Sequence, residues 1–124
     1  MLTDNQIEIA VRWWMDALKN PTFKDDKDGA EISTAFMFVK IAQRLNPVSE
    51  DKIKLFGDNL RNILQNTRNR TILCTDYDPD DILSEALEKA GIKDAVMPWK
   101  TTMWMLENTV KVACGYGADY ISLI

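Results

Sequence analysis

The chain has 124 residues, 46% of them hydrophobic and 27% charged; these are ordinary values for one domain with one core, and they exclude global disorder. A net charge of −4, from 19 acidic and 15 basic residues, excludes a broad nucleic-acid binder, which needs a clustered basic face, and falls far short of a DNA mimic. Histidine is absent, which removes the commonest general base and zinc ligand and the Ser/His and Cys/His nucleophile pairs, while carboxylate chemistry stays open.

The segment Met1 to Gln6 lacks a basic region followed by an apolar stretch, so no signal peptide is expected and the location expected is cytoplasmic. Thr3 and Gln6 form a capping-box pattern, and Ile7, Ala10, Val11, Trp14 and Leu18 follow at helical spacing up to Asn20-Pro21. After a polar loop over 21–29, a second helix is expected over about 30–45. Ile32, Ala35, Phe36, Val39 and Ala42 form one apolar stripe on it, and Phe38, Ile41 and Leu45 form the neighbouring one. Two adjacent apolar faces predict a central helix covered from both sides. Ser49 is placed to cap a third helix over about 50–66, with Ile53, Phe56, Leu60, Ile63 and Leu64 inward and Lys52, Lys54, Asp58 and Arg61 in solvent.

The pattern then changes from helical to strand-like. Thr71 to Thr75 is rich in strand formers, and Asp78 followed by Pro79 predicts a fourth helix with Asp78 as its cap and Pro79 at its first position. Ile82, Leu83, Ala86, Leu87 and Ala90 are its apolar stripe and Gly91 its stop. Thr101 to Leu106 and Thr109 to Cys114 flank Glu107-Asn108 as a hairpin with a tight turn, and Tyr120 to Ile124 can add a last short strand. The expectation is a single α+β domain over 1–124. Its helical half, 1–66, supplies three N-terminal helices that pack on a small β-α-β-β sheet in 67–124, with a C-terminal hairpin. No run approaches the roughly 18 apolar residues of a membrane span. Cys74 and Cys114 read as buried, reduced thiols; strands carrying them could be adjacent, which leaves a disulfide conceivable but not expected.

Several segments invite chemistry. The run Ile72-Leu73-Cys74-Thr75-Asp76-Tyr77-Asp78, an apolar strand entering Asp-x-Asp, resembles the nucleophile motif of haloacid-dehalogenase-type phosphatases, which implies a metal or phosphate site using Asp76, Asp78 and Asp81. That family usually has Thr or Val where this chain has Asp80, and the chain is short for its fold. Helix capping by Asp78, with Asp80 and Asp81 complementing the helix dipole, accounts for the same acids without chemistry. The loop Lys24 to Gly29 fails as a calcium-binding EF-hand loop, because Lys24 and Ala35 stand where acids are required. Gly115-Tyr116-Gly117 lacks the third glycine and the helix of a nucleotide loop. Arg68 and Arg70 can hold a phosphate or a partner's carboxylate, or stand as solvated charges. No cofactor is implied.

Trp and Met are surplus for a small domain. Trp13 and Trp14 lie about 100° apart on one helix, and Met97, Trp99, Met103, Trp104 and Met105 crowd the hairpin region. Such side chains serve equally as core and as interface anchors. As a partner-binding set the sequence offers Trp99, which follows Pro98 in a loop, with Met97, Trp13, Asp78, Asp80, Asp81, Arg68 and Arg70.

The strings Val11-Arg12-Trp13-Trp14 with Pro21, Asp76-Tyr77-Asp78-Pro79, Pro98-Trp99-Lys100-Thr101 and Gly115-Tyr116-Gly117-Ala118 together resemble small accessory proteins carried by bacteriophages and prophages. No catalytic residues come with that resemblance. It implies a protein that binds a host or phage protein in the bacterial host cytoplasm, such as an inhibitor of an antiviral defence complex, as monomer or homodimer and without a membrane. Two other readings stand beside it: the small metal-dependent phosphate-processing or ligand-binding protein, and a homo-oligomeric structural protein whose exposed hairpin edge pairs with a copy of itself.

Overall fold

The first helix starts at its capping pattern. The Thr3 amide donates to Gln6 Oε1 at 2.9 Å and the Gln6 amide donates to Thr3 Oγ1 at 3.2 Å, the reciprocal exchange that satisfies two orphan donors. The computed structural model describes residues 1–19, 48–76, 78–92, 97, 100–115 and 119–124. The helix expected over about 30–45, the 21–29 loop, Tyr77, Trp99 and residues 116–118 lie outside the described residues.

Among the described residues the chain runs α1 (Asp4–Lys19), α2 (Glu50–Asn66), β1 (Ile72–Thr75), α3 (Asp81–Lys89), β2 (Thr101–Trp104), β3 (Lys111–Cys114) and β4 (Ile121–Ser122). It is a mixed α+β fold with a four-stranded antiparallel sheet in the order β1-β2-β3-β4. The last short strand, expected within Tyr120 to Ile124, forms over Ile121–Ser122 only, so the sheet has four strands and not three. No helix of the described residues is long and apolar enough to cross a membrane.

Each helix end has a local cause. Ser49 caps α2, its hydroxyl accepting the Lys52 amide at 3.3 Å. At the end of α3, Gly91 takes φ of 70°, its amide reaches Glu88 O and the Ile92 amide reaches Leu87 O, both at 3.0 Å. This is the Schellman pairing, closed by the buried side chains of Leu87 and Ile92. Glu107 and Asn108, at φ of 49° and 64°, make the left-handed pair that lets a two-residue turn follow the twist of its strands.

The core joins one face of the sheet to all three described helices. Leu73, Met103 and Val112 stand in one cross-strand row, buried in the same cluster as Trp14 of α1, Phe56 and Leu60 of α2, and Leu83 of α3. Each such side chain contributes about 1.5–3 kcal/mol by leaving water. Gly57 permits the close approach of α2 to α1, since a Cβ there would collide with the Met15 thioether. Gln6 has a second use: buried at 1% exposure, it donates through Nε2 to the Thr109 carbonyl at 3.0 Å, tying the start of α1 to the hairpin.

The fourth helix of the sequence reading starts later than expected. Asp80, not Asp78, is the cap, and Pro79 precedes it instead of opening the helix. The cause is a competing bond, because Pro79 pairs with Thr75 in an isolated bridge and the Asp80 amide donates to Cys74 O at 3.0 Å, which holds this stretch extended against β1.

The two cysteines are free. Cys74 pairs across with Thr102, whereas Cys114 pairs with Thr101, so they sit on opposite faces of strands separated by β2. Two strand spacings, about 9.6 Å, exceed the reach of a disulfide, about 7 Å between Cα atoms.

Candidate functional site

The segment from Arg68 to Asp81 holds six of the side chains singled out from sequence, and the fold uses most of them internally. Arg68 follows the α2 cap and turns back to the chain start: Nη1 donates to Leu2 O at 2.9 Å and Nη2 to Asp4 Oδ1 at 2.7 Å. Arg70 lies along the outside of β1. Its Nε donates to Ile72 O at 2.9 Å and its Nη2 to Asp81 Oδ1 at 2.7 Å, with Asp80 Oδ2 at 3.6 Å. The two guanidiniums thus engage backbone carbonyls and acids of their own chain.

Asp80 is the centre of the segment. One carboxylate oxygen accepts the Leu83 amide at 2.8 Å, capping α3, and the other accepts the Cys74 amide at 2.9 Å. The Thr71 carbonyl accepts the Met105 amide, so by alternation Leu73 and Thr75 turn their backbone groups to β2, while Ile72 and Cys74 turn theirs away from the sheet. Asp80 therefore pairs with Cys74 as a neighbouring strand would, using its amide for the Cys74 carbonyl and its side chain for the Cys74 amide.

The charges follow from this geometry. The Arg70 guanidinium hydrogen-bonded to Asp81 holds that carboxyl below the ordinary carboxylate value. Burial, then the nearby charge of Asp80, pushes the Cys74 thiol above its ordinary value, with Arg70 opposing; Cys74 is a poor nucleophile at neutral pH for that reason. Asp76 and Asp78 are exposed, and the Asp76 carbonyl accepts the Lys100 amide at 3.1 Å. Among the described residues no group of three or more His, Cys, Asp or Glu is arranged to hold a metal ion.

A second surface lies on the face of the sheet turned away from the core. Ile72, Trp104, Lys111 and Ser122 form one cross-strand row of that face, and Cys74, Thr102 and Ala113 the next. Alternation from Ser122 places Tyr120 there too, and its ring meets Trp104 edge-on at 4.5 Å between centroids. Ala113 lies between the strands that carry these two rings and is buried. Tyr120 is 60% exposed, Leu106 at the hairpin turn 48%, and Ile72 40%. The arrangement is a mixed face on which an aromatic ridge and exposed apolar side chains stand beside the polar Lys111, Thr102 and Ser122, suited to holding another macromolecule's apolar side chains within a polar surround.

Of the other residues proposed from sequence, Met97 is only 4% exposed and is spent on the core. Trp13 is half-buried, packed edge-on against the wholly buried Trp14 with ring centroids 4.8 Å apart. Trp99 lies outside the described residues. Composition alone does not separate Met103, Trp104 and Met105. The signal that separates them is the period of two along a strand, which sends Met103 and Met105 to the core and Trp104 to the other face. No protein-family model matches the chain, and no curated protein is significantly similar to it.

Proposed function

We propose that this chain is a protein-binding accessory module that acts by occupying a partner and carries out no reaction, with the outer sheet face around Trp104 and Tyr120 as its contact surface. The observation that supports this most is that exposed apolar face, with Ile72, Leu106 and Tyr120 all open to solvent. The neighbouring polar segment points the same way, since Asp80 is hydrogen-bonded to two amides and Asp81 to Arg70. The metal-dependent alternative needs Asp76, Asp78 and Asp81 free to converge, and the Arg70 fork on Asp81 works against it. The resemblance to phage and prophage accessory proteins gives the partner its class: a host or phage protein, with inhibition of an antiviral complex as the consequence of binding.

The test is capture of a partner from bacterial lysate, with and without infection, by the wild-type chain and by variants. Trp104→Ala combined with Tyr120→Ala is expected to weaken capture at least tenfold, the scale of about 1.4 kcal/mol that a modest interface anchor exceeds. Trp99→Ala, and Asp76→Asn with Asp78→Asn, measure what the loop and the acidic turn add. Undiminished capture by the Trp104/Tyr120 double variant, with the fold intact, removes the proposed surface.

A further inference from the structure

The strand rows of the outer sheet face hold a single charge, and it does not lie at an edge. Lys111 stands between Trp104 of β2 and Ser122 of β4, on an inner strand of the sheet and on the strand that the Trp104–Tyr120 contact spans. The other members of these rows, Ile72, Cys74, Thr102, Trp104, Ala113 and Ser122, include no acid. The rows are therefore cationic in a chain whose net charge is −4. Lys111 is exposed, and among the described residues its ammonium has no hydrogen-bonded or ion-paired partner. The Ser122 hydroxyl beside it donates to the Ile124 carbonyl at 2.8 Å, so its one proton is committed within the chain.

In water this ammonium is hydrated. A partner laid across Trp104 and Tyr120 also lies over Lys111, and a cation stripped of water without a counter-ion is strongly disfavoured; lysine is for that reason depleted at interface centres. We infer that the occupant of this face is a protein segment carrying an aspartate or glutamate next to an apolar side chain, the carboxylate paired with Lys111 and the apolar group against the Trp104–Tyr120 ridge. The inference rests on the binding-face reading and gives its partner a chemistry, with Lys111 as the residue that selects it. A matched carboxylate replaces the lost hydration with a charge-assisted hydrogen bond, and a basic segment is rejected by like charge. An uncharged apolar segment fits only if the long stem of Lys111 carries the ammonium out to water at the rim, and that is the alternative the test must exclude.

Selection of a random-peptide display library on the immobilised full chain tests this. Wild type is expected to enrich segments with Asp or Glu beside Leu, Phe or Trp, and selection on Lys111→Glu to exchange those acids for Lys and Arg. The leading acidic peptide should bind Lys111→Arg much as it binds wild type, bind Lys111→Glu at least about tenfold more weakly, and weaken as salt is raised. Lys111→Glu changes an exposed side chain, so its thermal unfolding should stay near wild type. No acid enrichment, no selected peptide at all, or equal binding to wild type and Lys111→Glu overturns the inference. The binding face itself is judged by the Trp104/Tyr120 double variant. Peptides lost by that variant but kept by Lys111→Glu leave the face standing and remove Lys111 as its selector. Acidic peptides that still bind the double variant remove the ridge, and the inference with it.

Discussion

The two edges of the sheet are built from similar apolar residues and treated in opposite ways. Along β1, Arg70 takes the Ile72 carbonyl, and Asp80 takes both the amide and the carbonyl of Cys74, so three of the four outward backbone groups of Ile72 and Cys74 are met by residues only two to six positions away, the Ile72 amide being the exception among the described residues. Along β4, the outward amides of Tyr120 and Ser122 meet no such partner among the described residues. The difference teaches where to look for function in a chain without an obvious catalytic set. Arg70, Asp80 and Asp81 are conspicuous in the sequence and are occupied along β1, whereas the inconspicuous β4 carries exposed apolar side chains at Tyr120 and Ile121.

The largest effect that can break this contrast belongs to Asp80→Ala. Loss of an N-cap costs about 1 kcal/mol, and an unmet Cys74 amide adds about 1–3 kcal/mol when buried. Cys74 is only half-buried, so water relieves part of the second cost, and about 2–3 kcal/mol is expected from urea unfolding. Asp80→Asn separates the two roles: its one carbonyl oxygen can still cap α3, but its amide group would face the Cys74 amide, donor against donor. It should therefore recover the cap and leave the edge open. Ser122→Ala, the matching change on β4, is expected within about 0.5 kcal/mol of wild type. Equal losses at Asp80 and Ser122 would erase the distinction between the edges.

Much of this architecture was legible in the sequence because it rests on local signals. The Thr3–Gln6 box, the Ser49 cap, the Gly91 stop and the Glu107-Asn108 turn each depend on a few neighbouring residues, and each stands where the pattern placed it. The apolar stripes of α1 and α3 face the core for the same reason. The candidate site was less legible. The choice between Asp78 and Asp80 as the cap of α3 is made by β1, whose Cys74 backbone holds Asp80, and no local propensity reports a strand edge in search of a partner. Arg70 reads as a free charge until Asp81 is folded back beside it. Trp104 was visible as a residue, but its face is fixed only by the register that sets it opposite Ile72 and Lys111.

A smaller effect sharpens the picture of the open edge. β4 is a two-residue strand, and the Trp104–Tyr120 contact reaches across β3 to hold it. An edge-on aromatic pair is worth about 0.5–1.5 kcal/mol beyond its area, so a double-mutant cycle through Trp104→Ala and Tyr120→Ala is expected to return a coupling in that range. Hydrogen exchange at the Leu123 amide should quicken in either single variant. The Cys74 amide should not change, because nothing in its protection by Asp80 involves the rings. A coupling of zero would mean that β4 is held by its backbone pairing alone.

The finest test concerns how charge helps to close the β1 edge. Asp81 accepts from Arg70, and its carboxyl is held below its ordinary value. For a depressed carboxylate the sign is fixed: the stabilising contribution is fully present above the unfolded-state value of about 3.9 and is lost as pH falls through the lower folded-state value. Wild type should therefore exceed Asp81→Asn in stability at neutral pH, and the two unfolding midpoints should converge as the solution is acidified below about pH 4. The pair is exposed on the Asp81 side, so added salt should shrink the difference at neutral pH. Arg70 also donates to the Ile72 carbonyl, a bond that does not titrate with the acid, and Arg70→Ala should remain below wild type after Asp81→Asn has converged with it. If the Asp81→Asn deficit instead persists unchanged to acid pH, the carboxylate's charge is not what joins it to Arg70, and the closing of this edge reduces to Asp80 and the backbone.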